Sequence, residues 1–307
     1  MAPKVYIIIL HWKNIQCLAE CIESLGKVSY DNFEIIIVNN GSNDLINISK
    51  SQNLSFHTLT SPSNLGFAAG NNIGIKEALK KQADYLLLLN DDTVVAPEFL
   101  DVLINAGENN PDVAMLGPKI YYFNDPKRIW FAGARFDSRI CKIIASDADQ
   151  LDEDKSFSPV MSDYLTGCAL LLKRHVIERI GFLDERFFLY WEDVDWGLRA
   201  SDAGFLNVLI PTSKIWHKAS FSSGGSNSPL KAYHQTRSHL LFAEMHAPKT
   251  RMKLCVGFFR DILWLLHKSH DPDKLIKSKA YYTAMIDYFI GKTGPGPQWL
   301  WKGMQND

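Results

Sequence analysis

The 307-residue chain is 46% hydrophobic and 22% charged, a balance that suits a globular protein with a sizeable core and excludes a collagen, a disordered polymer or a coiled-coil rod. At roughly 150 residues per domain, its length suits two domains or one large α/β domain with an appendage. The formal net charge of −1 hides an asymmetry, because residues 1–227 carry 21 basic against 28 acidic side chains whereas residues 228–307 carry 12 against 6.

The first ten residues run from one lysine straight into Val5, Tyr6, Ile7, Ile8, Ile9 and Leu10, a β-branched run too short for a helix. No separate signal-like apolar region or small-residue cleavage site precedes it, and no apolar run approaches the ~18 residues of a bilayer span, so a cytoplasmic chain is expected. Residues 15–25 have helical spacing, and Cys17 and Cys21 fall on one face of that helix. Two small core residues and a pair of metal ligands are the alternatives there; no Cys-x-x-Cys pair exists among the five cysteines. Residues 34–38 predict a second buried strand ending in Asn39-Asn40-Gly41-Ser42, and 56–59 a third. A helix is expected over 70–79, then a fourth strand over 85–89 running into Asn90-Asp91-Asp92. This rhythm predicts a mostly parallel sheet covered on both faces, with ligands in the crevice at the carboxyl ends of the strands. The polar ends at 11–14, 39–42 and 90–92 point to a nucleotide-sized ligand with a cation.

A helix follows Pro97, and then a less regular middle with an acidic exposed loop at 147–158. Residues 169–172 read as a buried strand, 174–180 and 191–203 as helices, and 207–211 as a short strand. A Gly/Ser loop at 222–226 is a candidate lid. Beyond 228 the pattern turns helical around Leu254, Phe258, Ile262 and Leu265 and again over 281–290. These helices are expected to pack on the core, pair in a dimer or lie on a membrane.

Four places could carry chemistry. Adjacent Asp91 and Asp92 at a strand end suit a hard divalent cation, or are two acids in a solvated turn. Glu192, Asp193 and Asp195 stand between Trp191 and Trp196, where apolar rings would raise a carboxyl toward a general-base range; an acidic helix start is the competing reading. The two rings could form a platform for a sugar or a base. His217 follows a strand and precedes the Gly/Ser loop, as a ligand or as a structural histidine. The segment 64–72, NLGFAAGNN, is a Gly-rich turn whose amides could face a phosphate.

Taken in order, VNNGS at 38–42, NLGFAAGNN at 64–72, LLNDDT at 88–93, FFLYWEDVDWGLRA at 187–200 and IWHKAS at 215–220 resemble glycosyltransferase family 2. The likeness is greatest to its rhamnosyltransferase-like branch and covers about residues 5–226. It implies a GT-A fold, an α/β Rossmann-like mostly parallel sheet flanked by helices, with a catalytic domain over 1–227 and a basic helical extension over 228–307. By the same resemblance Trp12, Asn14, Asn39, Ser42, Asn64, Gly66, Phe67, Asn71 and Asp91 would bind the nucleotide. Asp92 and His217 would hold Mn²⁺ or Mg²⁺, Asp193 would be the catalytic base with Glu192 beside it, and Trp191, Thr166 and Gly167 would face sugar and acceptor.

Two positions depart from the family pattern, Asn90 at the start of the metal motif and Asn39 at the base-reading position, where an amide replaces a carboxylate. The function implied is inverting transfer of a sugar, with rhamnose from dTDP-rhamnose preferred over a UDP-hexose or UDP-galactofuranose. The acceptor is a saccharide or a lipid-linked hydroxyl in surface polysaccharide synthesis. The basic tail would touch an anionic membrane at its inner face, a homodimer is a further expectation, and no nucleic-acid motif is present. A nucleotidyltransferase lacks support because no basic Gly-rich triphosphate loop stands near the N-terminus. A silent sugar-nucleotide scaffold is the remaining competitor.

Overall fold

The computed structural model of the chain describes residues 2–43, 54, 56–153, 157–218 and 228–301. The first half alternates as the sequence predicts: β1 (Val5–His11), α1 (Ile15–Leu25), β2 (Phe33–Asn40), β3 (Phe56–Ser61), α2 (Gly66–Lys80), β4 (Tyr85–Asn90), β5 (Thr93–Val95) and α3 (Phe99–Glu108). β1 pairs in parallel with β2 and β4, and β2 with β3. Consecutive Ile7, Ile8 and Ile9 point to opposite faces yet are all fully buried, so both faces of the sheet are covered. Helix α2 starts at Gly66, four residues before the expected position. It lies close on the sheet because position 74 has no side chain: a Cβ there would stand 2.4 Å from Ile8 Cγ2.

The second half adds β6 (Val113–Tyr122), β7 (Asp125–Phe131), β8 (Ala134–Asp137), β9 (Lys142–Ala145), β10 (Val160–Met161), β11 (Ala169–Lys173), α4 (Arg174–Ile180), α5 (Glu192–Asp202) and β12 (Leu206–His217). The main sheet has ten strands, with the order β10-β12-β6-β11-β4-β1-β2-β3; β5 joins β12 and β7 joins β6. β1 to β4, β6 and β12 share one direction, and β11 runs against its neighbours β4 and β6. The region expected to be irregular is therefore largely strand. β12 also runs on past Pro211, the end expected for a short strand, to His217. The β6/β12 register shifts between Ile210 and Lys214, opposite Pro118 and Lys119. A bulge there accommodates residues that cannot continue the regular ladder.

Three α-helices follow, α6 (Pro229–His246), α7 (Arg251–Lys268) and α8 (Lys274–Phe289), and a 3₁₀ turn over Gln298–Trp301 ends the described chain. α6 is packed on two sides. Its Phe242 meets Phe136 and Trp191 of the sheet domain, while Leu230 and Tyr233 share a cluster with Ala280 and Ala284 of α8. Cys17 and Cys21 are buried free thiols in the core. Among the described residues no helix is long and apolar enough to cross a membrane. The expected lid at 222–226 and part of the acidic loop, 154–156, lie outside the described residues.

Candidate functional site

A cavity of about 830 Å³ opens where β1, β2 and β4 end, at the crevice the topology predicts. The register that sets Leu10 against Asn90 also brings His11 beside Asp91. His11 Nδ1 lies 2.7 Å from Asp91 Oδ2. Burial pushes the Asp91 carboxyl up to about 6, and the hydrogen bond with His11 limits the rise. The next residue, Asp92, reaches His217 because β5 pairs with the end of β12; Asp92 Oδ1 is 3.1 Å from His217 Nε2. Burial alone would lower the His217 pKa, yet the Cys168 sulfur and the Asp92 carboxylate beside it hold it well above the ordinary value. Trp130 stands edge-on to that ring at 4.4 Å.

Asp92 Oδ1 and His217 Nδ1 are both buried without a properly formed hydrogen bond. Asp92 Oδ1 and the facing His217 Nε2, a carboxylate oxygen and an imidazole nitrogen 3.1 Å apart, fit a hard divalent cation once the ring gives up its proton, the remaining ligands coming from phosphates and water. Among the described residues no group of three His, Cys, Asp or Glu side chains is arranged to hold an ion without such help.

Across the cavity, α5 begins after Tyr190 and Trp191, both in left-handed conformation with φ of 69° and 74°. That turn aims the first residues of α5 inward. Asp193 Oδ2 accepts from Gly167 N–H at 3.0 Å, and its Oδ1 accepts from Val194 N–H at 2.8 Å. The Thr166 hydroxyl also supports it. Burial nevertheless raises the Asp193 carboxyl above its usual range, since the amides offset only part of the lost hydration. Burial, and then the neighbouring Asp193, push Glu192 well above its ordinary value; its Oε2 has no hydrogen-bond partner.

The flanking tryptophans divide. Trp196 is fully buried and donates to Gly181 O, so it is core and not the expected platform. Trp191 lines the cavity, stacked on His239 at 4.1 Å. Asp195, the third acid, is fully buried between His246 and Arg199, each at 2.8 Å, and ties α5 to α6.

Trp12, Asn64, Gly66, Phe67 and Asp91 line the cavity, as do Asp92 and His217, Glu192 and Asp193, and Trp191, Thr166 and Gly167. Four of the expected nucleotide residues do not. Asn14 caps α1 through Cys17 N–H, and Asn71 donates to Phe67 O. Asn39 is bound at both ends of its amide by the Ser42 backbone, 2.8 Å from N and 3.1 Å from O.

The Gly-rich turn is not an open phosphate cradle. The amides of Leu65, Gly66 and Phe67 donate to Asn40 Oδ1, Asn64 Oδ1 and Phe188 O. Sequence reasoning placed His11 and Asn40 in the polar strand ends without a role of their own, and it missed Trp130. It also missed the contribution of Leu230, Lys231, Gln235 and Trp301 from the C-terminal helical region. His11 had a signal in the β1/β4 register; the C-terminal residues had none.

Comparisons with known proteins bear on the family and the fold. The chain is 26% identical over 255 residues to the N-acetylglucosaminyl-diphospho-decaprenol L-rhamnosyltransferase of Mycobacterium tuberculosis, covering 75% of this chain and 81% of that protein. It is 23% identical over 313 residues to the dTDP-rhamnosyl transferase RfbF of Shigella flexneri, covering 96% and 99% respectively. The crystal structure of GalNAc-T7 with UDP, GalNAc and Mn²⁺ matches 99% of this chain and 57% of its own, with a TM-score of 0.65 and 14% identity, a likeness of GT-A fold. A family model covering residues 6–180, from the first strand through the Gly-rich turn and the paired aspartates to α4, matches as well, and the chain belongs to glycosyl transferase family 2.

Proposed function

We propose that the chain moves rhamnose from dTDP-rhamnose to a hydroxyl of a saccharide or lipid-linked acceptor, inverting the anomeric centre, in bacterial surface polysaccharide synthesis. One observation carries the reaction type: a single cavity holds the buried Asp92–His217 pair and the amide-held Asp193 carboxylate. The sugar follows the relatives named as rhamnosyl transferases.

Asp92 and His217 would hold Mn²⁺ or Mg²⁺, which when bound offsets the negative charge of the departing nucleoside diphosphate. Asp193 takes the proton of the acceptor hydroxyl. The acceptor oxygen forms its bond to the anomeric carbon as the bond to the diphosphate oxygen breaks on the opposite face. The Gly167 and Val194 amides keep the carboxylate oriented, so little reorganisation accompanies proton transfer. Trp12, Asn64, Gly66 and Phe67 bound the nucleotide side, while Asn14, Asn39 and Ser42 shape the turns behind it and Asn71 bonds within α2. Trp191, Thr166 and Gly167 bound the sugar and acceptor side. In this reading residues 1–227 form the catalytic unit, residues 228–307 complete its acceptor wall, and the chain works at the cytoplasmic face of the cell membrane.

The test is Asp193→Asn, which keeps the shape of the side chain and loses its basicity. Transfer from dTDP-rhamnose should fall by about 10²–10⁴-fold, the usual contribution of a general base. Calorimetric binding of dTDP with Mn²⁺ should stay within about twofold. Undiminished transfer removes Asp193 from the base role, and faster turnover of UDP-galactofuranose or a UDP-hexose overturns the choice of donor.

A further inference from the structure

Helix α7 has two apolar faces. One is turned to the protein: Ile262 and Leu265 are buried, and Phe258 meets His239 and Tyr281. The other runs through Met252, Val256, Phe259 and Leu263, at steps of four, three and four residues that keep them on one side of the helix. These four are 71%, 59%, 54% and 42% exposed, and exposed Trp264 flanks them. α8 packs beside α7 and exposes Leu275, Tyr282, Ile286 and Phe289 at the same kind of spacing. Lys249, Arg251, Lys253, Arg260, Lys268 and Lys279 are exposed in the same stretch, against Asp261 and Asp273.

We propose that this outer face of α7 and α8 docks on an anionic lipid bilayer. Charge selects the occupant. Residues 228–307 hold 12 basic against 6 acidic side chains, so a second copy on this face would set like charge against like. An anionic bilayer offers the opposite charge to the bases and an apolar boundary to Phe259, Leu263 and Trp264. α8 packs on α6, and α6 lines the cavity through Leu230, Lys231 and Gln235, so docking sets the site one helical layer from the lipid. The use of that placement rests on the proposed lipid-linked acceptor. Docking itself is measured with neither donor nor acceptor, so its failure is distinguishable from failure of the transfer reaction.

The test is flotation of the full chain at low salt with phosphatidylcholine vesicles, pure or mixed with phosphatidylglycerol. The chain should float with the mixed vesicles and not with the pure ones. Phe259→Ser with Leu263→Ser, and separately Lys253→Glu with Arg260→Glu, should each lower the bound fraction by at least about tenfold. Since all four side chains are exposed, the melting temperature should not move. Absence of flotation overturns the proposal, and so does equal flotation by the variants or on pure phosphatidylcholine. A wild-type dimer in light scattering that the double serine variant turns into a monomer assigns the face to a second copy instead.

Discussion

Glu192 is the least comfortable residue in the cavity wall. It is buried, one of its carboxyl oxygens has no partner, and the Asp193 carboxyl is its neighbour. Its folded pKa lies well above the unfolded value near 4.3, so the native state binds more protons in the interval between them. Its contribution to stability is therefore full below the unfolded pKa and is lost as pH rises through the folded one. Glu192→Gln removes the ionisation and keeps the shape. Urea unfolding should find this variant more stable than the wild type at about pH 8, by on the order of 1–3 kcal/mol, with no gain at about pH 4. A gap that does not depend on pH would mean that Glu192 ionises in the fold without penalty. At this scale the chemistry-bearing acids were legible, because adjacent carboxylates at a strand end and at a helix start are conspicuous in sequence. The amides were not. Asn39 and Asn14 look like ligand contacts when read alone, yet a short amide side chain satisfies nearby backbone as readily as a ligand.

Among the secondary-structure elements, α2 shows how one missing side chain sets a packing distance. A Cβ at Gly74 would meet Ile8 Cγ2 at 2.4 Å and Val38 Cγ2 at 3.2 Å, both on strands of the core, so the helix must lift or the strands must yield. Gly257, in α7, has nothing within 4 Å of the same added atom. Gly74→Ala should therefore cost about 1–3 kcal/mol by overpacking, while Gly257→Ala should add about 0.5–1 kcal/mol through helix propensity. Chemical denaturation of both variants checks the pair, and equal signs would show that α2 is not held by this contact. Elements with one clear period were readable: α1 and α4 fall where the spacing puts them. β6 was not, because Gly117 and Pro118 interrupt it and the bulge in β12 that accommodates them is a partner's property. α6 lies in the stretch read as helical, but its own limits were hidden for a different reason. It buries Tyr233, Arg237, Leu240 and Phe242 against two layers, so no single apolar stripe marks it.

For the whole molecule, α6 decides whether the C-terminal region is an appendage or part of the fold. Its Phe242 and Ala243 share a cluster with Cys141, Phe187 and Val194 of the sheet domain, and its Leu230 and Tyr233 share another with α8 and Leu300. Trp301 reaches back to Trp12 and Phe188, edge-on at 5.5 Å and 6.0 Å. A chain ended after residue 227 would expose the first cluster and open the cavity beside Trp12. One ended after residue 250 would keep α6 but uncover Leu230, Tyr233 and the fully buried His234. Each uncovered large side chain forfeits about 1.5–3 kcal/mol of burial, and a few of them equal the whole stability of an ordinary domain. The full chain should therefore melt in one cooperative calorimetric transition, and both shortened chains should lose that transition and bind no dTDP. A second, separate transition for residues 228–307, or a shortened chain that melts cooperatively, would make the helices a dispensable module. In that case the cavity wall formed by Lys231 and Gln235 would have no part in holding a substrate.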